Sequence, residues 1–245
     1  MQAKQITDNQ ISKGTLLSAV LMLLIVPSTI LFGVVFLGDR KYYFISLLII
    51  IYSMIPFAMV FEKRKPQARD IIVISVLIAI AVSGRAAFFM VPQFKPVIAI
   101  VIIAGVCFGA ESGFLVGAVT GFVSNFFFGQ GPWTPWQMFC FGIIGFLAGV
   151  LFKKGLLKST KLSLCIFGGV TTFFIYGGII NIGSVSIFTS HFSWNALLAS
   201  YISGFWFDVV HTIATVFFLY FISQPMIEKL ERIKLKHGLG CRGEV

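Results

Sequence analysis

The sequence predicts an all-α polytopic membrane protein, a two-helix amino-terminal hairpin followed by a six-helix bundle, with eight spans in total. Three observations lead there. Hydrophobic residues fill 58% of the 245 positions and charged residues only 11%, where a soluble domain is about a quarter charged. The apolar residues gather in runs of about twenty, the length that crosses ~30 Å of hydrocarbon at ~1.5 Å per helical residue. The nineteen Lys and Arg fall mostly between alternate runs, the pattern that orients a membrane protein.

The spans follow in order. Residues 14–37 form the first, after the polar MQAKQITDNQISKG. That segment is too polar and too long for a cleaved leader, and no A-x-A-like site follows the run, so the span is expected to be retained. The second covers 42–61 and leads into EKRKPQARD at 62–70, the most polar internal stretch. It divides the hairpin (1–66) from the body (67–226), which a basic tail (227–245) follows. The body's spans are expected at 71–91, 96–110, 113–128, 136–152, 162–182 and 195–223. Only VPQFKP separates the first two of these, and only AESG the next two. The glycines and prolines of GQGPWTPWQM (129–138) prevent one continuous helix from 113 to 152.

With the amino end inside, fifteen of the nineteen basic residues lie on cytoplasmic segments. Only Arg40, Lys41 and Lys95 are outside, and Arg85 lies within a span. Both termini are therefore expected in the cytoplasm, and GQGPWTPWQM outside. The net charge of +10 is accounted for by membrane topology, with no need of nucleic acid. Cys107, Cys140, Cys165 and Cys241 are scattered without C-x-x-C spacing, so neither a disulfide framework nor a metal site is expected. No phosphate loop, H-E-x-x-H or G-x-S-x-G motif occurs, so the chain is not expected to be an enzyme or to carry a cofactor.

Glycines recur every fourth residue at Gly105, Gly109, Gly113, Gly117 and Gly121, and again at Gly145 and Gly149. Small residues at this spacing let helix backbones meet in lipid, and close packing is the expected role. Ser75, Ala79 and Ser83 form a second small stripe, suited to internal packing or to docking a partner helix. Arg85 and Asp208 are expected well inside spans at similar heights, about 21 and 22 Å above the cytoplasmic helix ends. An intramembrane ion pair between them is geometrically possible, and the alternative is a polar floor beneath a pocket. His211 lies one turn from Asp208.

The expected outer turns gather aromatic and amide side chains. VPQFKP offers Gln93 and Lys95, and SNFFFGQ offers Asn125 and Gln130. GQGPWTPWQM adds Trp133, Trp136 and Gln137, and GSVSIFTSHFSWN adds His191, Trp194 and Asn195. Aromatic belt residues would account for the tryptophans alone. A proline-stiffened turn with indoles and amides also suits a flat or ringed ligand, because rigidity lowers the cost of ordering.

The order of these features resembles a family. A small-x-x-x-small helix, a P-x-x-K-P turn and the glycine-rich block IAIVIIAGVCFGAESGFLVGAVTGFVSNFFFGQGPWTPWQMFCFGIIGFLAGVLF are similar to the S-component, the substrate-binding membrane subunit of energy-coupling factor (ECF) vitamin transporters. The resemblance covers residues 70–223. It implies high-affinity capture of a vitamin from outside, and partnership with a membrane T-component and two ATPases that use the ATP. It implies docking of the T-component on Ser75, Ala79 and Ser83. It also implies a pocket closed by the three outer turns, to which Tyr176, Asn181 and Tyr201 would contribute from the last two helices. The PWTPWQM loop looks most like S-components for cobalamin or related corrinoids, and another ring-bearing vitamin also suits it. The rivals from other classes are a membrane-embedded enzyme using Asp208 and His211, and a self-sufficient solute transporter.

Overall fold

The computed structural model describes residues 18–37, 42–63, 68–153, 155–189 and 193–237. The amino-terminal lysines, Arg40 and Lys41, the 64–67 linker, His191 and the end of the tail with Cys241 lie outside the described residues. Eight helices and no strands occur among those described: α1 (18–37), α2 (Tyr42–Lys63), α3 (Ala68–Ala87), α4 (Val97–Phe108), α5 (Ala110–Phe128), α6 (Thr134–Lys153), α7 (Lys161–Phe188) and α8 (Trp194–His237). Four of them, α5 to α8, are long and apolar enough to cross a membrane, and the other four contain shorter apolar helices.

Helix α4 is the centre of the bundle. Every residue from Val97 to Cys107 is buried, as expected of a helix that is apolar all round. Its break from α5 differs from the sequence expectation. The residues AESG are helical, and Gly109 alone makes the turn at φ 101°, a left-handed conformation that favours glycine. Gly109 donates its N–H to Gly105 O, and its own carbonyl accepts from Gly113 N. One residue thus closes one helix and opens the next.

The glycine stripe brings α4, α5 and α6 into backbone contact. A Cβ added at Gly145 would lie 2.6 Å from the Gly113 carbonyl carbon, and one at Gly117 would lie 2.6 Å from Gly142 N. Side chains are excluded there because the neighbouring surface is another main chain. In lipid, such close packing replaces the hydrophobic drive that water supplies to soluble folds.

Pro135 begins α6 instead of breaking it, standing where a missing N–H costs nothing. Helix α7 runs past the expected end at 182 to Phe188, with a wide turn at Thr171–Gly177. Helix α8 continues beyond 223 through the expected tail region to His237. Its later turns pack Met226, Ile227 and Leu230 on the central core, and Lys234 Nζ donates to Cys107 O (3.0 Å).

The hairpin shares its core with the body. Met22, Val26 and Ile30 of α1 and Ile45 and Ile49 of α2 join Phe114, Ala118, Trp136, Phe139 and Ile143 in one buried cluster. The extra helices are a wall laid against α5 and α6.

Candidate functional site

Up-and-down connection of the helices puts the turns after α3, α5 and α7 at one end of the bundle. A cavity of about 730 Å³ opens there among α6, α7 and α8. Gln93, Gln137, Tyr176 and Asn181 of the expected pocket residues line it, together with Asp208 and side chains from the facing sides of α7 and α8. Gln93 sits at φ 56°, uncommon for a residue with a side chain. That turn delivers its amide to the cavity.

A buried cation lies beside the cavity's Gln137. Arg85 is 6% exposed and donates to Ser124 Oγ, to Asn125 Oδ1 (2.8 Å) and to Gln137 Oε1 (3.5 Å). The Phe128 ring covers it at 4.5 Å. Asn125 Nδ2 also donates to Gln137 Oε1 (2.9 Å), and Gln137 Nε2 donates to Tyr176 OH (3.5 Å). Tyr176 stacks on Phe141 and meets the edge of His211 with ring centres 4.6 Å apart. Gln137 therefore connects the buried arginine to the cavity.

The expected ion pair is not formed. Arg85 is held by neutral oxygens on α5 and α6, while Asp208 Oδ2 accepts from Asn181 Nδ2 (2.9 Å) across the α7–α8 contact. A salt bridge joins Lys234 to Glu231 on α8. The two side chains turn to different helices, Arg85 to α5 and α6 and Asp208 to α7. Two glycines make room for the Asn181–Asp208 pair. A Cβ at Gly177 would lie 2.6 Å from the Asp208 carboxyl carbon, and one at Gly204 would lie 3.1 Å from the Asn181 amide carbon.

The other expected residues lie around this site. Gln130 Nε2 donates to Phe122 O (2.8 Å), and Thr134 Oγ1 donates to Gln130 Oε1 (2.9 Å) while accepting from Asn125 Nδ2 (3.0 Å). Asn125 and Gln130 thus brace the 129–133 turn. Trp133 folds over Gly131 and donates Nε1 to Gly129 O (3.3 Å). Trp136 is buried against Gly183 of α7, and its Nε1 finds no acceptor among the described residues. Lys95 is buried, donates to Val91 O (3.0 Å) and faces the Phe128 ring at 5.1 Å. Burial lowers its pKa, and the nearby Arg85 charge adds to that. Tyr201 OH donates to Gly178 O (3.0 Å), tying α8 to α7, and Trp194 and Asn195 are exposed at the start of α8.

Sequence reasoning missed Ser184 of α7, Thr189 just past its end, and Ser200 and Ser203 of α8 as cavity residues. Their signal is a small and polar stripe on α8: Ala196, Ala199, Ser200, Ser203, Gly204 and Asp208 share one face. On α3, Ser75, Ala79 and Ser83 are all exposed, whereas Ile74, Leu77 and Ala81 point inward. The stripe therefore faces away from this chain's own helices. No group of three or more potential metal ligands occurs among the described residues.

The arrangement can hold a small molecule. A family model described as ECF transporter, substrate-specific component, matches residues 69–228. The chain belongs to that family. Its members are transporter components, not enzymes, and work with a T-component and ATPases. Among curated proteins, the chain is similar to a UPF0397 protein of Vibrio atlanticus, 30% identical over 125 residues, which are 48% of this chain and 68% of that protein. UPF0397 proteins of Aliivibrio salmonicida and Aliivibrio fischeri are 28% and 32% identical, over 49% and 34% of this chain and 65% and 48% of theirs. The chain thus spans about half to two thirds of the relatives it matches. No solved structure matches it. The matched region begins at α3 and ends within α8, so the α1–α2 hairpin lies outside it.

Proposed function

We propose that this S-component captures a vitamin-type small molecule in the cavity among α6, α7 and α8. It then passes the molecule across the membrane together with a T-component and two ATPases. The observation that carries this reading is the cavity itself. At about 730 Å³ it falls within the ~300–1,000 Å³ of small-molecule sites, and it stands on a hydrogen-bonded floor of Gln137, Tyr176 and Asn181. The distribution of basic residues supports an outward-facing mouth and cytoplasmic termini. Exposure of Ser75, Ala79 and Ser83 supports α3 as the docking face for the T-component, since small residues allow close helix approach.

The PWTPWQM loop suggested a corrinoid. Trp133 folds on its own turn and Trp136 is wedged between helices, so the two indoles form no broad aromatic mouth, and the cavity volume favours a smaller ring-bearing vitamin. Gentle purification in detergent, with mass spectrometry and absorbance of any bound molecule, tests both levels. A vitamin-sized compound supports capture, and a corrinoid spectrum would restore the larger ligand. A protein that arrives empty and binds no member of a vitamin panel sinks the capture reading.

A further inference from the structure

The serine and threonine hydroxyls of the cavity meet a guest as hydrogen-bond acceptors, while the amides of Gln93 and Gln137 and the Tyr176 hydroxyl supply donors at its other side. Thr189 Oγ1 donates to Val185 O (2.6 Å) and Ser184 Oγ to Ile180 O (2.9 Å). Ser200 Oγ donates to Asn181 O (3.1 Å) and Ser203 Oγ to Ser200 O (3.1 Å). A main-chain carbonyl can only accept, so each of these hydroxyls has its proton committed to the helix. What remains for a guest is the oxygen lone pair. The Asn181 amide N–H groups are likewise used, on Gly177 O (2.8 Å) and Asp208 Oδ2 (2.9 Å).

Charge points the same way. The cavity's lining contains one carboxylate, Asp208, and no Lys, Arg or His. Asp208 has about four acceptor positions, of which Asn181 takes one. Of the buried cations, Arg85 is engaged by Ser124, Asn125 and Gln137, and Lys95 donates to Val91 O; neither lines the cavity. A carboxylate in this low-dielectric setting is costly without a partner, and no cation of the described residues supplies one. Phe188 and Phe207 add ring faces to the wall, which also attract a cation.

We infer that the ligand carries a positively charged, N–H-rich nitrogen group, a protonated amine or amidine-like ring edge, received by the Asp208 carboxylate and the oxygens of Ser184, Ser200 and Ser203. This rests on the capture reading of the same cavity and narrows it to cationic, donor-rich compounds. An anionic vitamin would find no cation in the wall. Gly177 and Gly204 are positioning residues, since their missing side chains let the Asn181–Asp208 pair stand where it does.

The test is equilibrium binding to the full chain in lipid nanodiscs. The cationic probes are pyridoxamine and benzamidine, set against neutral riboflavin and pyridoxine, anionic biotin and pantothenate, and cyanocobalamin. The expected result is binding confined to the cationic probes, weakened roughly 10- to 100-fold by Asp208→Asn, as for loss of a charge-assisted hydrogen bond. Binding of a neutral or anionic probe in preference to the cationic ones overturns the inference and leaves capture standing, as does unchanged affinity in Asp208→Asn. No binding by any probe overturns both. Should Asp208→Asn fail to fold, the Ser184→Ala, Ser203→Ala double variant takes its place. It is expected to weaken the cationic probe several-fold, and an unchanged affinity would again refute the inference.

Discussion

Replacing Gly145 by alanine tests the backbone-to-backbone packing of α5 and α6. The added Cβ would stand 2.6 Å from the Gly113 carbonyl carbon and 2.8 Å from Val101 Cγ1, where ordinary contact begins near 3.4 Å. The valine can turn, but the carbonyl belongs to the facing helix, so the helices must part by close to 1 Å. Overpacking of this kind costs about 1–3 kcal/mol. The absence of a yielding side chain on the Gly113 side puts Gly145→Ala in the upper half of that range. For a chain of this size, 2–3 kcal/mol lowers the thermal midpoint by roughly 4–12 °C. Gly169→Ala is the control: its Cβ meets only Val216 Cγ2 at 3.2 Å and Thr212 Cγ2 at 3.8 Å, methyl groups that can shift, so less than ~1 kcal/mol is expected. The assay is loss of the monodisperse chromatographic peak after heating, followed by tryptophan fluorescence. Equal midpoints for the two variants would refute the claim that main chain meets main chain at Gly145.

Other consequences are open to measurement. Arg85→Met removes the donor shared by Ser124, Asn125 and Gln137, and should cost ~1.5–3 kcal/mol for the bonds to the charged group. It should also weaken ligand binding at temperatures where the variant is folded; intact affinity would show that Gln137 holds its place without the arginine. Ala79→Trp, on the exposed face of α3, should abolish co-purification with a T-component while ligand affinity is unchanged, and an intact complex would remove that face from the docking surface. Trp136→Ala should lower the thermal midpoint more than Trp133→Ala, because Trp136 fills the space against Gly183 whereas Trp133 is 37% exposed; the reverse order would argue against the wedge.

Hydropathy made the helices legible, because a run of about twenty apolar residues has one stable use in lipid. It could not place the break at Gly109, since a glycine within a glycine stripe reads as another packing residue until its φ is known. The reach of α8 was hidden by charge. LERIKLKH looks like a solvated tail, yet Leu230 is buried and Lys234 is stitched to Cys107. The site was half visible. Rise per residue gave Arg85 and Asp208 the same height, but not the direction in which each side chain leaves its helix, and it is direction that sends one to Asn125 and the other to Asn181. The loops drew notice through their tryptophans and prolines. The hydroxyls of Ser184, Ser200 and Ser203 did not, because serine within a span is as common in helix packing as in binding.

Helix α8 is a single rod of 44 residues, about 65 Å long at 1.5 Å per residue, more than twice the ~30 Å hydrocarbon layer. Its first turns form a wall of the cavity, and its last are pinned to the closing carbonyls of α4 at the opposite end of the bundle. One continuous helix thus joins the cavity wall beside Asp208 to the contact at Lys234. The weak point is Pro225, where the ring removes one hydrogen bond of the ladder. Whether the rod swings whole or bends at that residue decides how much of a ligand's arrival is felt on the far side.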